Sequence, residues 1–300
     1  MFHGSMVALI TPMDASGAVD DRALRDLVEW HIAEGTHAIV AVGTTGESAT
    51  LTVKEHVAVI RSVVQQVHGR IPVIAGTGAN ATAEAIELTR AAMEAQADAA
   101  LLVSPYYNKP TQEGLFQHYS AITDACHFPI ILYNVPGRTS GDILPETVAR
   151  LAKRPNVVGV KEASGKVDRV AEILHLCAIH DASIEVFSGD DGAALAAMAI
   201  GARGVISVTA NVAPRAMAQM MYAALENDFV LARRINDALV PLHRDLFAES
   251  NPIPAKWLLA DMQRVGPTIR LPLTPLSESL HVRLRSALQY ASSAPLSPAS

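Results

Sequence analysis

Cysteine is nearly absent: Cys126 and Cys177 are the only two in 300 residues, and neither belongs to a CxxC pair or a Cys/His cluster at metal-ligand spacing. A disulfide framework is therefore excluded, and both read as inert core thiols. The eleven histidines are scattered singly, so no metal centre is expected. No uncharged apolar run reaches the roughly 20 residues that a membrane helix needs, and residues 1–11 lack a charged segment followed by a long apolar one. We expect a soluble, cytoplasmic chain with no membrane partner. Excess positive charge is missing too: the net charge of −6 leaves no basic footprint for nucleic acid. Apolar side chains, in contrast, are plentiful. Half the residues are hydrophobic and 18% are charged, enough to bury a large core without disulfide or metal.

That apolar content is organised. Short runs of Val, Ile, Leu and Ala at 5–10, 38–42, 72–76, 99–104, 129–134, 157–163, 184–188 and 204–209 alternate with longer segments of helical period. Strands covered on both faces, as in a parallel sheet, read as such continuous runs, and their alternation with helices signals repeated βα units. Candidate helices lie at 21–34, 54–67, 81–95, 111–125 and 193–200, several opening with an acid, Ser or Thr. A doubly wound open sheet would alternate in the same way, but would want a Gly-rich phosphate turn after its first strand. Here that turn is Thr11-Pro12-Met13-Asp14. The expected fold is therefore an α/β TIM barrel, (β/α)8, over residues 1–225. After Pro214 the strand signal stops, and helical segments follow near 215–225, 229–249 and 254–264. A small C-terminal helical domain is expected over 226–290, and a disordered tail of Ala, Ser, Pro and Leu over 291–300.

Barrels of this class carry their chemistry at the C-terminal ends of the strands. The second strand runs into Gly43-Thr44-Thr45-Gly46-Glu47-Ser48, the fourth into Tyr106-Tyr107, the fifth into Tyr133-Asn134-Val135-Pro136-Gly137-Arg138, and the sixth ends at Lys161. Lys161 is one of six lysines, and the other five sit where water explains them: Lys54, Lys153 and Lys166 flank helices, Lys109 lies in a loop, and Lys256 stands beside a Pro-rich helix start. Strand alternation puts Gly159 below Lys161 on the same face, leaving room inside the barrel. A poorly solvated amine is biased toward its neutral form, which attacks carbonyls. On pattern alone a strand-end lysine paired with a carboxylate or reaching solvent fits as well. Tyr133 could pass protons nearby, or be a packed core tyrosine. The Thr44-Thr45 turn suits a small carboxylate, or is only a turn. Arg138 offers a fork for a second carboxylate, or is an exposed loop arginine.

The motifs together weigh on these choices. Gly43-Thr44-Thr45-Gly46-Glu47-Ser48, Tyr133-Asn134-Val135-Pro136-Gly137-Arg138-Thr139 and Val160-Lys161-Glu162-Ala163-Ser164 resemble the signatures of the pyruvate-dependent class I aldolase and lyase superfamily. Ser188-Gly189-Asp190-Asp191, Gly204-Val205-Ile206-Ser207-Val208 and Asn251-Pro252-Ile253-Pro254 extend the resemblance over nearly the whole chain. Within that superfamily the chain is most similar to the dihydrodipicolinate synthase family, with Arg138 in its Pro-Gly-Arg-Thr turn as the discriminating residue.

The resemblance implies that Lys161 forms a Schiff base with pyruvate, whose enamine attacks aspartate semialdehyde on the route to lysine and diaminopimelate. It implies Tyr133 as proton shuttle, Thr44 as its link to a second tyrosine, Tyr107, reaching in from a neighbouring subunit, and Thr45 on the pyruvate carboxylate. Arg138 would hold the carboxylate of the semialdehyde, with Gly189 and Ile206 lining the site. The implied assembly is a homotetramer, a dimer of dimers. The iminium is its own electron sink, so no cofactor is expected. Ser48, Ala49, His56, Asn80, Glu84 and Tyr106 match residues that hold free lysine as inhibitor in lysine-regulated members, although Val53 stands where such members often have a basic residue. A sugar-acid aldolase, which would not need Arg138, and a catalytically silent barrel that senses a 2-oxo acid are the competing readings.

Overall fold

Apolar runs become strands here because each is buried on both of its faces. The computed structural model describes residues 2–296. Its strands are β1 (Gly4–Ala8), β2 (Ala38–Ala41), β3 (Val73–Gly76), β4 (Ala99–Val103), β5 (Ile130–Asn134), β6 (Val157–Glu162), β7 (Glu185–Ser188) and β8 (Gly204–Ser207). Each pairs in parallel with the next, and β8 pairs with β1 to close the barrel.

The barrel's helices are α1 (Asp21–Ala33), α2 (Val53–Val67), α3 (Thr82–Glu94), α4 (Gln112–Ala125), α5 (Pro136–Thr139), α6 (Pro145–Leu151), α7 (Arg169–Ile179), α8 (Ala194–Ala199) and α9 (Pro214–Leu225). Side-chain caps set several starts. Asp20 accepts from the Ala23 amide, Thr111 accepts from the Gly114 amide, and Thr52 with Glu55 forms a reciprocal capping box. Pro136, Pro145 and Pro214 open three helices, where a missing N–H costs nothing.

Strand alternation sorts the core into two layers. Val7, Ile39, Leu132, Val160 and Val186 face the helices, whereas Met6, Val40, Ile74, Leu101, Ile131, Tyr133, Phe187 and Ile206 fill the barrel interior. Alternation along β6 predicts space beneath Lys161 at Gly159. In the structure that space is occupied: a Cβ on Gly159 would stand 2.7 Å from Cε2 of Phe187, whose ring fills it from the next strand.

Beyond the barrel lie α10 (Phe229–Asp245), α11 (Ile253–Asp261) and α12 (His281–Ala291). Lys256 departs from its expected solvated position. In α11, Ile253, Pro254, Ala255, Leu258 and Leu259 are all buried, so the helix has no polar face on which to display a lysine, and Lys256 is carried inward to 2% exposure. The first six residues of the tail expected over 291–300 do not fit that expectation. Ala291 is the buried last residue of α12, and Ala294 and Leu296 pack against the core. The rest of that expected tail, 297–300, lies outside the described residues. Among the described residues no helix is long and apolar enough to cross a membrane.

Candidate active site

The C-terminal strand ends surround a cavity of about 380 Å³. Ala8, Val40 and Leu101 form its floor, the strand ends carry Tyr133, Lys161 and Gly189 into its wall, and His243, Arg244, Phe247 and Asn251 close it from the C-terminal helical region.

Lys161 stands in register with Tyr133 on one side and Phe187 on the other. It is 6% exposed, and its Nζ lies 4.2 Å from the centre of the Tyr133 ring. Among the described residues it forms no ion pair; the adjacent Glu162 points to the other face of β6, where it accepts from Asn134 Nδ2 at 3.0 Å and the Ser164 amide at 2.6 Å. Gly189 is required beside it. A Cβ there would lie 2.6 Å from Ala163 Cβ and 2.9 Å from Lys161 Cε, so only glycine leaves the lysine its place.

The turn after β2 is held from three sides. The Gly46 amide donates to the Gly43 carbonyl at 3.0 Å, Thr11 Oγ1 donates to the Gly46 carbonyl at 2.7 Å, and Asn251 Nδ2 donates to Thr45 Oγ1 at 3.0 Å. Thr45 is thereby buried, while Thr44 is half-buried and borders the cavity. Arg138, on the short α5, is exposed and reaches the Asn251 carbonyl at 3.4 Å, so its guanidinium stands at the cavity mouth.

Two expected members lie elsewhere. Ile206 is fully buried in the barrel interior, and Val208, two residues further on, borders the cavity in its stead. Tyr107 is 89% exposed, with a backbone φ of 74°, and does not border the cavity of its own chain.

A second cavity, of about 340 Å³, lies on the other side of the same turn and shares Thr44, Val135, Arg138 and Asn251 with the first. Ser48, Ala49, His56, Glu84 and Tyr106 line it, together with Val53 and Leu273. Asn80 is not in its wall; its carbonyl accepts from Asn108 Nδ2 at 2.9 Å. His56 donates through Nε2 to the Gly76 carbonyl at 2.7 Å, and burial holds its pKa below the ordinary value. The Tyr106 phenol is pushed up, by burial first and then by the Glu84 carboxylate.

Sequence reasoning assigned no role to Asn251, Glu47, His243 or Arg244. Asn251 was visible only as part of a motif, and His243 sits on an amphipathic helix where its spacing reads as core. Its Nδ1 lies 2.9 Å from Thr209 Oγ1, and burial lowers its pKa while Asp191 and Asp190 pull it back.

Fold and cavity together define a class of protein: a closed (β/α)8 barrel that presents a buried lysine without a counter-ion at its mouth. The particular family follows from comparison with known proteins. The chain belongs to the Dihydrodipicolinate synthetase family, whose sequence profile it matches over residues 1–291. It is 74% identical over 291 residues to the 4-hydroxy-tetrahydrodipicolinate synthase of Acidithiobacillus ferrooxidans, spanning 97% of this chain and 99% of that one. It superposes with a TM-score of 0.95 and 52% identity on the chloride-inhibited dihydrodipicolinate synthase of Acinetobacter baumannii complexed with pyruvate, spanning 97% of this chain and 99% of that one. With the lysine-bound enzyme of Cyanidioschyzon merolae the TM-score is 0.92 at 38% identity, spanning 97% and 98%.

Proposed function

We propose that this chain condenses pyruvate with L-aspartate 4-semialdehyde to give 4-hydroxy-tetrahydrodipicolinate, through a Schiff base on Lys161, in lysine and diaminopimelate biosynthesis. The observation that carries this reading is the buried Lys161 amine, set over the Tyr133 ring at the cavity wall and forming no ion pair among the described residues. The amine attacks the 2-oxo carbon of pyruvate, and the carbinolamine loses water while Tyr133 passes the protons. Loss of a methyl proton turns the iminium into an enamine, which adds to the aldehyde. The substrate's own amine then displaces the lysine as the ring closes.

The surrounding residues take complementary parts. Thr45 and the adjacent backbone N–H groups receive the pyruvate carboxylate, and Thr44 links Tyr133 to Tyr107. Since Tyr107 stands 89% exposed and away from its own cavity, a neighbouring copy is the recipient of its phenol, within a dimer of dimers. Arg138 forks onto the carboxylate of the semialdehyde. Gly189 leaves room for the reacting lysine, and Ile206 supports the floor from below. The division into a catalytic barrel over 1–225 and a helical domain over 226–290, and a cytoplasmic location, belong to the same proposal. The 74% identity to the 4-hydroxy-tetrahydrodipicolinate synthase of Acidithiobacillus ferrooxidans and the pyruvate complex of the Acinetobacter baumannii enzyme support this reading over a sugar-acid aldolase.

The second cavity is proposed as a site for free lysine as inhibitor, with Glu84 meeting its ammonium groups and Ser48, Ala49, His56 and Tyr106 around the rest; Asn80 stands at its edge. The lysine-bound Cyanidioschyzon merolae structure supports this. Val53 supplies no charge there, so inhibition is expected to be weak or moderate. Activity unchanged by millimolar lysine, with no heat of binding, overturns the regulatory part.

Borohydride reduction in the presence of pyruvate, followed by peptide mass mapping, tests the chemistry. A pyruvyl adduct on Lys161 is expected. No adduct, or one on Lys256, overturns it.

A further inference from the structure

Glu47 and Lys256 have no part in the reaction proposed above, yet theirs is the most deeply buried ion pair among the described residues, with side chains 0% and 2% exposed and Nζ 2.5 Å from Oε1. Burial holds the Lys256 ammonium below its ordinary pKa, and the Glu47 carboxylate pulls it back. Glu47 follows Thr45 by two residues and carries a φ of 57°, in the left-handed region that non-glycine residues seldom enter. Its amide donates to the Thr44 carbonyl at 3.1 Å, and its carbonyl accepts from the Thr50 amide at 3.0 Å and hydroxyl at 3.1 Å. The second carboxylate oxygen accepts from the Arg270 amide at 3.2 Å. One short stretch, 251–256, thus grips the Thr44-Thr45 turn twice, with Asn251 on Thr45 and Lys256 on Glu47.

An ion pair at this depth is a poor source of stability, because desolvating two charges offsets their attraction, and well-packed apolar side chains often hold a fold as well. What it adds is direction, fixing one atom of the turn to one atom of α11. We propose that Glu47 and Lys256 are positioning residues, which clamp the Thr44-Thr45 turn to α11 and so set where both threonine hydroxyls stand at the Lys161 cavity. This role rests on the Schiff-base reaction proposed above.

The full chain, Lys256→Met, and the double variant Glu47→Gln with Lys256→Met separate positioning from support. In the double variant the amide oxygen still accepts from Arg270, and no unpaired charge remains. For each, the thermal midpoint, the rate of borohydride-trapped adduct formation at Lys161, and kcat and KM are measured. Lys256→Met is expected to lower the midpoint and to slow trapping and kcat about tenfold or more. The double variant is expected to recover the midpoint but not the rates. Should the single variant fail to fold, the double variant decides alone. Recovery of both rates with the midpoint means that the pair is only structural and overturns the proposal. A wild-type chain that forms no adduct overturns the reaction and this role together, whereas a wild-type chain that forms it beside a fully active double variant overturns the positioning role alone.

Discussion

Two lysines of this chain are buried, one at the barrel mouth and one in the C-terminal helical region, and only the second has a counter-ion. Lys161 meets the face of Tyr133 at 4.2 Å, whereas Lys256 meets the Glu47 carboxylate at 2.5 Å. In general a neighbouring carboxylate favours the ammonium form of an amine, which is no nucleophile. Removing Glu47 from Lys256 would leave an uncompensated charge in the interior, a loss of about 3–5 kcal/mol. Burial by itself therefore does not mark an imine-forming lysine. On the proposed reaction the mark is burial without a counter-ion, beside a group that can move protons.

The largest effect that bears on this contrast is removal of the proposed nucleophile. Lys161→Met is expected to abolish the trapped pyruvate adduct and to lower condensation by roughly four orders of magnitude or more. Transfer of the adduct to Lys256 in that variant would erase the distinction between the two lysines. A smaller effect comes from the space around Lys161. In Gly189→Ala the new methyl group would fall 2.6 Å from Ala163 Cβ and 2.9 Å from Lys161 Cε, so the amine must shift. Misplacement on that scale is expected to slow trapping about a hundredfold while the chain stays folded. Wild-type trapping by Gly189→Ala would show that the lysine's position is not tightly set.

Much of this contrast was legible in advance, but unevenly. The eight strands could be read because burial on both faces removes polar alternation, leaving continuous apolar runs. Their ends ran long: Leu9, Ile10 and Val208 are buried apolar residues beyond the strands, and Thr209 begins a short 3-10 turn rather than ending β8. Lys161 stood out from its apolar strand, but the pattern left its role open and only the resemblance assigned one. Lys256 did not stand out, because its partner lies 209 residues earlier and a lysine next to Pro254 reads as solvated. The room beside Lys161 was attributed to Gly159, although a glycine's space can be claimed from the next strand, as Phe187 claims it here. The role expected of Tyr107 rests on the resemblance alone, and the side chain does not border the cavity of its own chain.

Arg138 extends the comparison from the amine to the second substrate. Among the described residues its guanidinium makes one hydrogen bond, to the Asn251 carbonyl at 3.4 Å, which leaves most of the fork for a carboxylate. Charge-assisted hydrogen bonds of this kind contribute about 1.5–3 kcal/mol, so Arg138→Ala is expected to lower kcat/KM for the semialdehyde about tenfold to a hundredfold. Pyruvate trapping at Lys161 should be unaffected. Equal losses in both steps would place Arg138 in general support of the cavity, not in recognition of the second carboxylate.

The smallest effect concerns buried imidazoles, which burial without a counter-ion biases toward the neutral form. In His31, His37 and His118 burial is the leading cause that lowers their pKa values to about 3, 4 and 4. In the unfolded chain all three titrate near 6.5. Between that value and about 4 the unfolded state binds more protons, so the stability they contribute is complete above pH 6.5 and is lost as pH falls toward their folded values. From pH 6.5 to 5.5 each loses up to about 1 kcal/mol, and the three together about 3 kcal/mol. Glu29 and Glu55, held at about 2 chiefly by Arg70 and Arg270, begin to lose their contribution only below the ordinary carboxylate range near 4.5. The first acid loss is therefore the histidines' own. The thermal midpoint is expected to fall by several degrees over that single pH unit, and by less in His31→Gln, which lacks one of these titrating groups. A midpoint unchanged between pH 6.5 and 5.5 would mean that these histidines gain protons in the folded chain as readily as in the unfolded one, so that burial is not enough to keep their imidazoles neutral.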